Sequence, residues 1–292
     1  MHVATLLANP ARADLDRTTV EAVRDGWGGG EVRWLSPGIA AEFDLPAAPG
    51  TLWQRWEELQ ATGIDLALQP AGGREKRVLV ADMDSTMIGQ ECIDELGERA
   101  GFGPKIASIT RRAMNGELDF ESALTERVAL MKGLPVATIA EVLADRITLT
   151  PGGPTLIATM KARGAWTALV SGGFTAFTGP VTARLGFDEN RANRLEEADG
   201  RLTGRVLPPI LGRQAKVDAV HEIAAARGVT PAEVLAVGDG ANDLGMLQLA
   251  GTGVALHAKP SVAAQCSVRL NHADLTGLLY LQGIAARDFV EC

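Results

Sequence analysis

The sequence has few of the side chains that build disulfide frameworks, zinc sites or base-stacking surfaces. Its three cysteines, Cys92, Cys266 and Cys292, are odd in number and widely spaced, which predicts reduced thiols. The four histidines form no ligand pair, so a histidine-based metal site is not expected. Five Trp, one Tyr and seven Phe in 292 residues argue against the aromatic platforms that bind single-stranded nucleic acid.

The chain also lacks excess positive charge and long apolar runs. A formal net charge of -8 argues against binding through nucleic-acid phosphates. No apolar run approaches the roughly 20 residues that span a membrane. Residues 1–10 have neither the basic start nor the long apolar core of a signal peptide. We therefore expect a cytoplasmic protein with no nucleic-acid and no membrane partner.

Residues 1–72 are predicted to form a small α+β domain. Strand-like and helical patterns alternate there, at 3–7, 15–24, 32–35, 52–60 and 64–68. Residues 70–76 combine Pro and Gly with charged residues, which is typical of a linker. In residues 73–292 strands alternate with helices, which predicts an α/β domain: a parallel sheet with helices on both faces.

The alternation stops between residues 89 and about 150, where only helical patterns occur. These patterns cover 91–100, 105–114, 120–131 and 136–144. A helical insertion directly after the first core strand predicts a lid over the strand ends. Further along, Asp199-Gly200 at the centre of 193–205 indicates a β-hairpin.

Polar side chains follow three apolar, strand-like stretches. The stretches 78–81, 168–170 and 235–237 lead into Asp82 and Asp84, into Ser171 and Gly172, and into Asp239, Asn242 and Asp243. The carboxyl ends of parallel strands share one edge of the sheet, so these residues should meet there. Backbone N–H groups at such turns bind anions, and carboxylates beside an anion site require a cation. Asp82 and Asp239 are therefore candidate ligands of Mg²⁺, which prefers oxygen donors.

Each of these features alone also has an ordinary structural explanation. The Asp-, Gly- and Ser-rich motifs are common turn sequences, and Lys216 is typical of a solvated helix position. Arg127 lies within the apolar stripe of the 120–131 helix, where it needs a partner. That partner could be a substrate carboxylate or a protein carboxylate, or the guanidinium could extend to solvent. Glu91 suits either a helix N-terminus or a ligand site.

In combination, these motifs resemble the four motifs of the haloacid dehalogenase superfamily. They are Asp82-Met83-Asp84-Ser85-Thr86, Ser171-Gly172-Gly173, Lys216 and Gly238-Asp239-Gly240-Ala241-Asn242-Asp243. Within the superfamily, residues 78–274 resemble the phosphoserine phosphatases, through Glu91, Phe120-Glu121, Arg127-Val128, Phe174 and Ala192-Asn193-Arg194. The resemblance implies a Rossmann-like core with a small helical cap. Residues 1–70 resemble the regulatory, ACT-like extension of longer bacterial members.

The resemblance implies a role for each of these residues. Asp82 would be the nucleophile, Asp84 the general acid and base, and Asp82, the Asp84 carbonyl and Asp239 the Mg²⁺ ligands. The remaining roles concern substrate: Ser171, Gly172 and Lys216 for the phosphoryl group, Asn242 for phosphate or substrate, Arg127 for a carboxylate, Glu91 for an ammonium, and Phe120 and Met114 for an apolar wall. Asp243 would orient Lys216 or a metal-bound water.

The activity that the resemblance implies is Mg²⁺-dependent hydrolysis of O-phospho-L-serine, the last step of serine biosynthesis, through an aspartyl-phosphate. Two alternatives stay open at this point. One is a phosphatase or phosphotransferase for another small phosphometabolite, and the other is an inactive regulator that senses amino acids. The sequence does not fix the oligomeric state, and a homodimer is one option.

Overall fold

The structure is a computed structural model that describes residues 1–114 and 117–291. Cys292 and the side chain of Met114, both named above, lie outside the described residues. The strands are β1 (His2–Ala8), β2 (Arg33–Ser36), β3 (Ala40–Leu45), β4 (Ile64–Pro70), β5 (Val78–Ala81), β6 (Trp166–Phe174), β7 (Glu189–Ala198), β8 (Arg201–Leu207), β9 (Val234–Gly238), β10 (Thr252–Leu256) and β11 (Val268–Leu270). The helices are α1 (Arg17–Trp27), α2 (Leu52–Gln60), α3 (Cys92–Arg99), α4 (Gly103–Met114), α5 (Phe120–Ala129), α6 (Ala137–Asp145), α7 (Gly153–Ala162), α8 (Thr175–Leu185), α9 (Arg213–Ala226), α10 (Leu244–Leu249), α11 (Pro260–Ala263) and α12 (Gly277–Tyr280).

The N-terminal strands form an antiparallel sheet in the order β2-β3-β1-β4. With α1 and α2 this is the split βαβ arrangement of ferredoxin-like domains. Strand β3 was not predicted, because Glu42 and Asp44 hide its apolar pattern. Glu42 is nevertheless buried, since it pairs with Arg33 and Arg74 at 3.0 and 2.6 Å.

The second sheet has the order β11-β10-β9-β5-β6-β7-β8, and it is parallel except for the β7–β8 pair. Helices cover both of its faces. Val78 and Val80 of β5 pack with residues of α9 and α10, whereas Leu79 and Ala81 pack with residues of α7 and α8. Because successive side chains of a strand point to opposite faces, both faces of β5 are apolar. The predicted α/β fold is confirmed.

The chain runs through this sheet in two directions from β5. It passes first to β6, β7 and β8 on one side, and later to β9, β10 and β11 on the other. The crevice beyond β5 and β9 is therefore a topological switch point, where α/β sheets bind ligands. Asp82 follows β5 and Asp239 follows β9, which places both carboxylates at this crevice.

Helices α3, α4, α5 and α6 form a cap inserted between Ile88 and Leu149, which pair as an antiparallel bridge. The Gln90 side chain closes the base of the insertion by donating to Thr148 Oγ1 at 2.8 Å and accepting from the Thr148 amide at 2.9 Å. The predicted helical insertion is confirmed, with every helix boundary within two residues of its expected place.

The predicted hairpin is formed by β7 and β8. Asp199 and Gly200 at its turn have φ of 52° and 71°, the left-handed values that a two-residue hairpin turn requires. The cap rests on this hairpin through backbone hydrogen bonds. Gly133 donates to Leu202, Leu202 to Leu134, and Val136 to Gly200, at 2.8–3.0 Å. The α5–α6 side of the cap is thereby fixed to the core.

The N-terminal sheet packs closely against the α/β core. Leu7, Ala40 and Ala67 belong to the same buried cluster as residues of the core sheet. Asp65, fully buried on β4, accepts hydrogen bonds from the backbone amides of residues 271–273 at 2.8–2.9 Å. The boundary expected between residues 72 and 73 falls in the β4–β5 connection and stays a prediction.

Candidate active site

A buried ammonium joins two carboxylates at the end of β5. Lys216 Nζ lies 2.7 Å from Asp82 Oδ1 and 2.6 Å from Asp243 Oδ1, and Lys216 is only 2% exposed. Burial alone would lower the pKa of Lys216, but the two carboxylates raise it above its usual value. Lys216 is therefore held charged and in contact with Asp243, and the role expected for Asp243, to orient Lys216 or a metal-bound water, stays a prediction.

Asp82 Oδ1 also accepts a hydrogen bond from the Met83 amide at 2.7 Å. The contacts with Met83 and Lys216 both use Oδ1, and Oδ2 has no hydrogen-bond partner among the described residues. Burial and the neighbouring Asp243 raise the pKa of Asp82, while Lys216 opposes this change. The arrangement fixes the orientation of the carboxylate and leaves one oxygen available for chemistry.

Asp239 completes a group of three carboxylates. One oxygen each of Asp82, Asp239 and Asp243 lies within 4.8 Å of the others. Thr86 Oγ1 donates to Asp239 Oδ1 at 3.1 Å and so fixes the third carboxylate. Three carboxylates and the single Lys216 ammonium leave an excess of two negative charges, which one divalent cation would neutralise. Oxygen-only donors of this kind suit Mg²⁺.

Asp84 lies beside this group but is held by different partners. Its Oδ1 accepts from the Cys92 amide at 2.9 Å, and its Oδ2 is 3.4 Å from Ser171 Oγ. Burial, followed by the charge of Glu91, raises the pKa of Asp84 to about 6. A carboxyl group with this pKa carries a proton near neutral pH more often than an ordinary aspartate does.

Ser171 and Gly172 lie within the last, irregular part of β6, where a plain turn was the ordinary explanation. The register with β7 shifts between Val170 and Phe174, so the segment leaves regular pairing at this point. Ser171 Oγ accepts from the Gly173 amide at 2.8 Å. Asn193 Nδ2 donates to the Gly172 carbonyl at 2.8 Å, which holds the segment beside the crevice.

The cap contributes Glu91, Phe120 and Arg127. Glu91 precedes α3, and its Oε1 accepts from Ser85 Oγ at 2.8 Å. Phe120 packs against the core so closely that a Cβ at Gly172 would lie 3.1 Å from its Cζ. Arg127 Nε donates to the Ala123 carbonyl at 3.2 Å, and burial lowers its pKa. Within the described chain, no carboxylate forms an ion pair with Arg127.

Core and cap together enclose a cleft of about 650 Å³. It is lined by these predicted site residues: Asp82, Asp84, Glu91, Phe120, Arg127, Ser171, Gly172, Asp239 and Asn242. Lys216 and Asp243 lie buried behind Asp82. Cys92 is also buried, and burial raises the pKa of its thiol, which disfavours the reactive thiolate. The cleft thus brings the strand-end residues and the cap residues to one place.

Several polar residues at the site were not predicted from the sequence, among them Thr86, Asn193 and Asp94. Thr86 and Asn193 act through hydrogen bonds to Asp239 and to the Gly172 segment. Thr86 stands inside the quoted Asp82–Thr86 motif, which could have drawn attention to it. Asp94, in the first turn of α3, lines the cleft on the cap side. Its position resembles an ordinary acidic residue at a helix start, so no sequence signal marks it.

Among residues 1–114 and 117–291, no helix has the length and apolar character needed to cross a membrane.

Comparison with known proteins identifies the family. The sequence profile of haloacid dehalogenase-like hydrolases matches residues 79–248. The chain is 45% identical over 233 residues to a phosphoserine phosphatase of Streptomyces coelicolor, covering 79% of this chain and 57% of that protein. The alignments with two further curated phosphoserine phosphatases, from Archaeoglobus fulgidus and Mycobacterium tuberculosis, cover 64% and 54% of the length of those proteins. The chain thus spans little more than half the length of these relatives.

Solved structures show the same architecture. A HAD family hydrolase of Salmonella enterica serovar Typhi superposes with a TM-score of 0.86 at 31% identity, covering 96% of this chain and 98% of that one. A structure described as a phospho-aspartyl intermediate analogue of phosphoserine phosphatase superposes with a TM-score of 0.66 at 38% identity, covering 70% and 98%. The chain belongs to the haloacid dehalogenase-like hydrolase family.

Proposed function

We propose that this protein is a Mg²⁺-dependent phosphatase that hydrolyses O-phospho-L-serine to L-serine and phosphate. One observation carries the proposal. A single cleft joins the Asp82–Lys216–Asp243 group to a cap that offers a half-buried Arg127 with no ion-pair partner in the described chain, together with Glu91. Phosphate, carboxylate and ammonium are the three charged groups of phosphoserine, and each has a complementary group here.

In the first step, the free oxygen of Asp82 attacks phosphorus, and the bond from phosphorus to the serine oxygen breaks. Asp84 gives its proton to that oxygen as serine leaves, which a pKa of about 6 permits near neutral pH. The phosphoryl group is then carried on Asp82 as an aspartyl-phosphate. The phospho-aspartyl analogue of the related phosphatase supports this intermediate.

In the second step, Asp84 takes a proton from a water molecule that attacks the phosphorus of the aspartyl-phosphate. The bond from phosphorus to Asp82 breaks, which restores the carboxylate and releases inorganic phosphate. Lys216 offsets the negative charge around the transferred group throughout. Ser171 Oγ and the Gly172 amide would hold its oxygens, and Asn242, which lines the same cleft, would contact the phosphate or the rest of the substrate. Such transfers depend mainly on positioning and charge neutralisation.

The residues present fit a Mg²⁺ ion, which Asp82, the Asp84 carbonyl and Asp239 would hold. When bound, the ion would neutralise the excess charge of the carboxylate group and polarise the phosphoryl oxygens. The oxygen donors and the charge balance described above support Mg²⁺ over a softer metal.

The cap residues would determine the substrate selectivity. The planar guanidinium of Arg127 matches a carboxylate in two hydrogen bonds, and Glu91 would pair with the ammonium. Phe120, packed on Gly172, excludes water from the reacting group. Met114 would add to this apolar wall. We also propose that the reaction is the last step of serine biosynthesis. The same proposal has the protein act in the cytoplasm as a homodimer.

The experiment is phosphate release from O-phospho-L-serine and from p-nitrophenyl phosphate, with and without Mg²⁺, by the wild type and Asp82→Asn. We expect Mg²⁺-dependent release from phosphoserine, lowered at least about 1,000-fold by the substitution, because the amide cannot act as the nucleophile. Asp218→Asn is the matched control. Asp218 lies on the exposed face of α9 and bonds only Gln214 in the described chain.

Other outcomes would separate the alternatives. Asp82-dependent release from the aryl phosphate alone would retain the chemistry and contradict the substrate, in favour of another phosphometabolite. No release from either compound by a folded protein would favour an inactive, amino-acid-sensing regulator.

A further inference from the structure

Asp94 of α3 is a half-buried carboxylate on the cap side of the cleft without an assigned role. Its Oδ1 is screened from solvent and has no hydrogen-bond partner in the described parts of the chain. Burial raises the pKa of Asp94, and Glu91 adds to this effect, whereas Arg127 lowers the pKa. An unsatisfied buried acceptor is unusual in a folded protein and calls for an explanation.

Arg127 is a cation that lines the same cleft as Asp94. Among the charged groups acting on Arg127, Asp94 contributes most, ahead of Glu91 and Asp84, and opposes the lowering of the Arg127 pKa by burial. The two side chains nevertheless form no ion pair within 4.0 Å, and the one hydrogen bond recorded for the guanidinium is from Nε to Ala123. Arg127 is therefore attracted towards Asp94 while its terminal N–H groups stay available.

The surroundings of this pair are built for a polar ligand. Thr110 of α4 lines the same cleft, and its buried Oγ1 likewise lacks a partner among the described residues. Helices α3, α4 and α5 thus contribute Asp94, Thr110 and Arg127 to the cleft, where Ile93 and Leu124 add apolar surface. Unpaired polar atoms from separate helices that line one cleft are satisfied when a ligand or water joins them.

We infer that Asp94 is a positioning residue, which holds the Arg127 guanidinium in place to receive the carboxylate of an amino-acid phosphate. The inference rests on the proposed function and extends it to a residue with no expected part in binding. A carboxylate close to an arginine, but not in contact with it, limits the rotamers of the long side chain without occupying its donors. Direct bidentate pairing would instead compete with the substrate for the same N–H groups.

The test compares wild type with Asp94→Asn on O-phospho-L-serine and on p-nitrophenyl phosphate, which has no carboxylate. We expect KM for phosphoserine to rise about tenfold with kcat changed less than about threefold, since binding of the carboxylate is weakened. Turnover of the aryl phosphate should change less than about twofold, which also shows that the variant is folded. Glu98→Gln, which removes an exposed carboxylate one turn along α3, is the matched control.

A double substitution tests whether Asp94 acts through Arg127. In an Arg127→Ala background, Asp94→Asn should change kcat/KM for phosphoserine less than about twofold, because the group that it positions is gone. An undiminished effect in that background would overturn the inference, and so would an equal loss on both substrates in the single variant. A wild type that does not prefer phosphoserine over the aryl phosphate would instead overturn the proposed substrate, and the inference with it.

Discussion

Lys216 is the residue on which the charge balance of the site depends. It neutralises one of the three neighbouring carboxylates, at 2.6 and 2.7 Å from Asp243 and Asp82. One oxygen of Asp239 lies within 4.8 Å of an oxygen of Asp82 and of Asp243. Its negative charge has no ion-pair partner in the described chain. Repulsion within this group therefore opposes folding until a divalent ion binds.

At this scale we expect Mg²⁺ to raise the melting temperature of the wild type. At a Mg²⁺ concentration 100 times its Kd the gain in the free energy of unfolding is about 2.7 kcal/mol, which corresponds to a rise of roughly 4–5 °C for a chain of this size. Thermal unfolding with EDTA and with Mg²⁺ measures the shift. In Asp239→Asn, which loses one ligand and one charge, most of the shift should disappear. Equal shifts in the two proteins would show that Mg²⁺ binds elsewhere.

The site residues at the strand ends could be predicted from the sequence. The residues that hold them in place through hydrogen bonds could not. Asp82 and Asp239 follow apolar strands, and a parallel sheet must bring such ends together. The bond from Thr86 to Asp239 joins residues 153 positions apart, and its existence depends on the relative rotation of β5 and β9. Asp94 is recognisable only once three cap helices are packed.

Among the elements, the cap is attached to the core unequally on its two sides. The segment between α5 and α6 shares three backbone hydrogen bonds with the β7–β8 hairpin. Helices α3 and α4 precede it in the chain, pack on each other, and carry Glu91, Asp94 and Thr110 at or near the cleft. The α3–α4 half is tied to the core near its start, by the bonds of the Cys92 amide to Asp84 and of Ser85 to Glu91, so the remainder of this half is the part that can open to admit substrate.

We expect ligand-induced protection from hydrogen exchange to be confined to that half. With Mg²⁺ and beryllium fluoride, a phosphoryl mimic, amides of 92–112 should exchange more slowly, because closure reduces local opening. The amides of Gly133 and Val136 should change little, since they already donate to the hairpin. Helix α1 in the N-terminal sheet is the internal control. Uniform protection of the whole cap, or none, would contradict a hinge between these halves.

Element boundaries were predicted well where pattern alone determines them. The cap helices are amphipathic, and their ends lie within two residues of the expected positions. The Asp199-Gly200 turn needs left-handed backbone angles that these two residue types supply. Strand β3 escaped prediction because its buried Glu42 is satisfied by Arg33 and Arg74, and the sequence cannot show such distant pairing.

For the whole molecule, the N-terminal sheet and the α/β core behave as one packed body. Arg74, from the connection between them, pairs with Glu42 and donates to the carbonyls of Leu281 and Tyr280. Asp65 satisfies three consecutive backbone amides beyond β11. A substitution at this junction should therefore lower the free energy of unfolding of the entire chain. This should hold although the junction lies at the sheet edge opposite β8.

Replacement of Asp65 should test this coupling. In Asp65→Ala three buried or half-buried amides lose their acceptor, at a cost of about 3 kcal/mol, so we expect the melting temperature to fall by roughly 5 °C in a single transition. Turnover should stay within about twofold, since no site residue touches Asp65. Asp25→Ala, an exposed change in α1, is the control. A separate low-temperature transition would indicate that the N-terminal sheet unfolds alone.

The pairing of Ile88 with Leu149 has a consequence for how this family diversifies. The chain leaves the core and returns to it at adjacent points, so the core closes on itself whatever lies between them. Everything that recognises the amino-acid part of the proposed substrate lies in that interval, and all but one of the groups proposed to act on the phosphoryl group lie outside it. Substrate selectivity and phosphoryl-transfer chemistry can therefore change independently. A different cap sequence between these two points could select another substrate while the catalytic residues of the core stay the same.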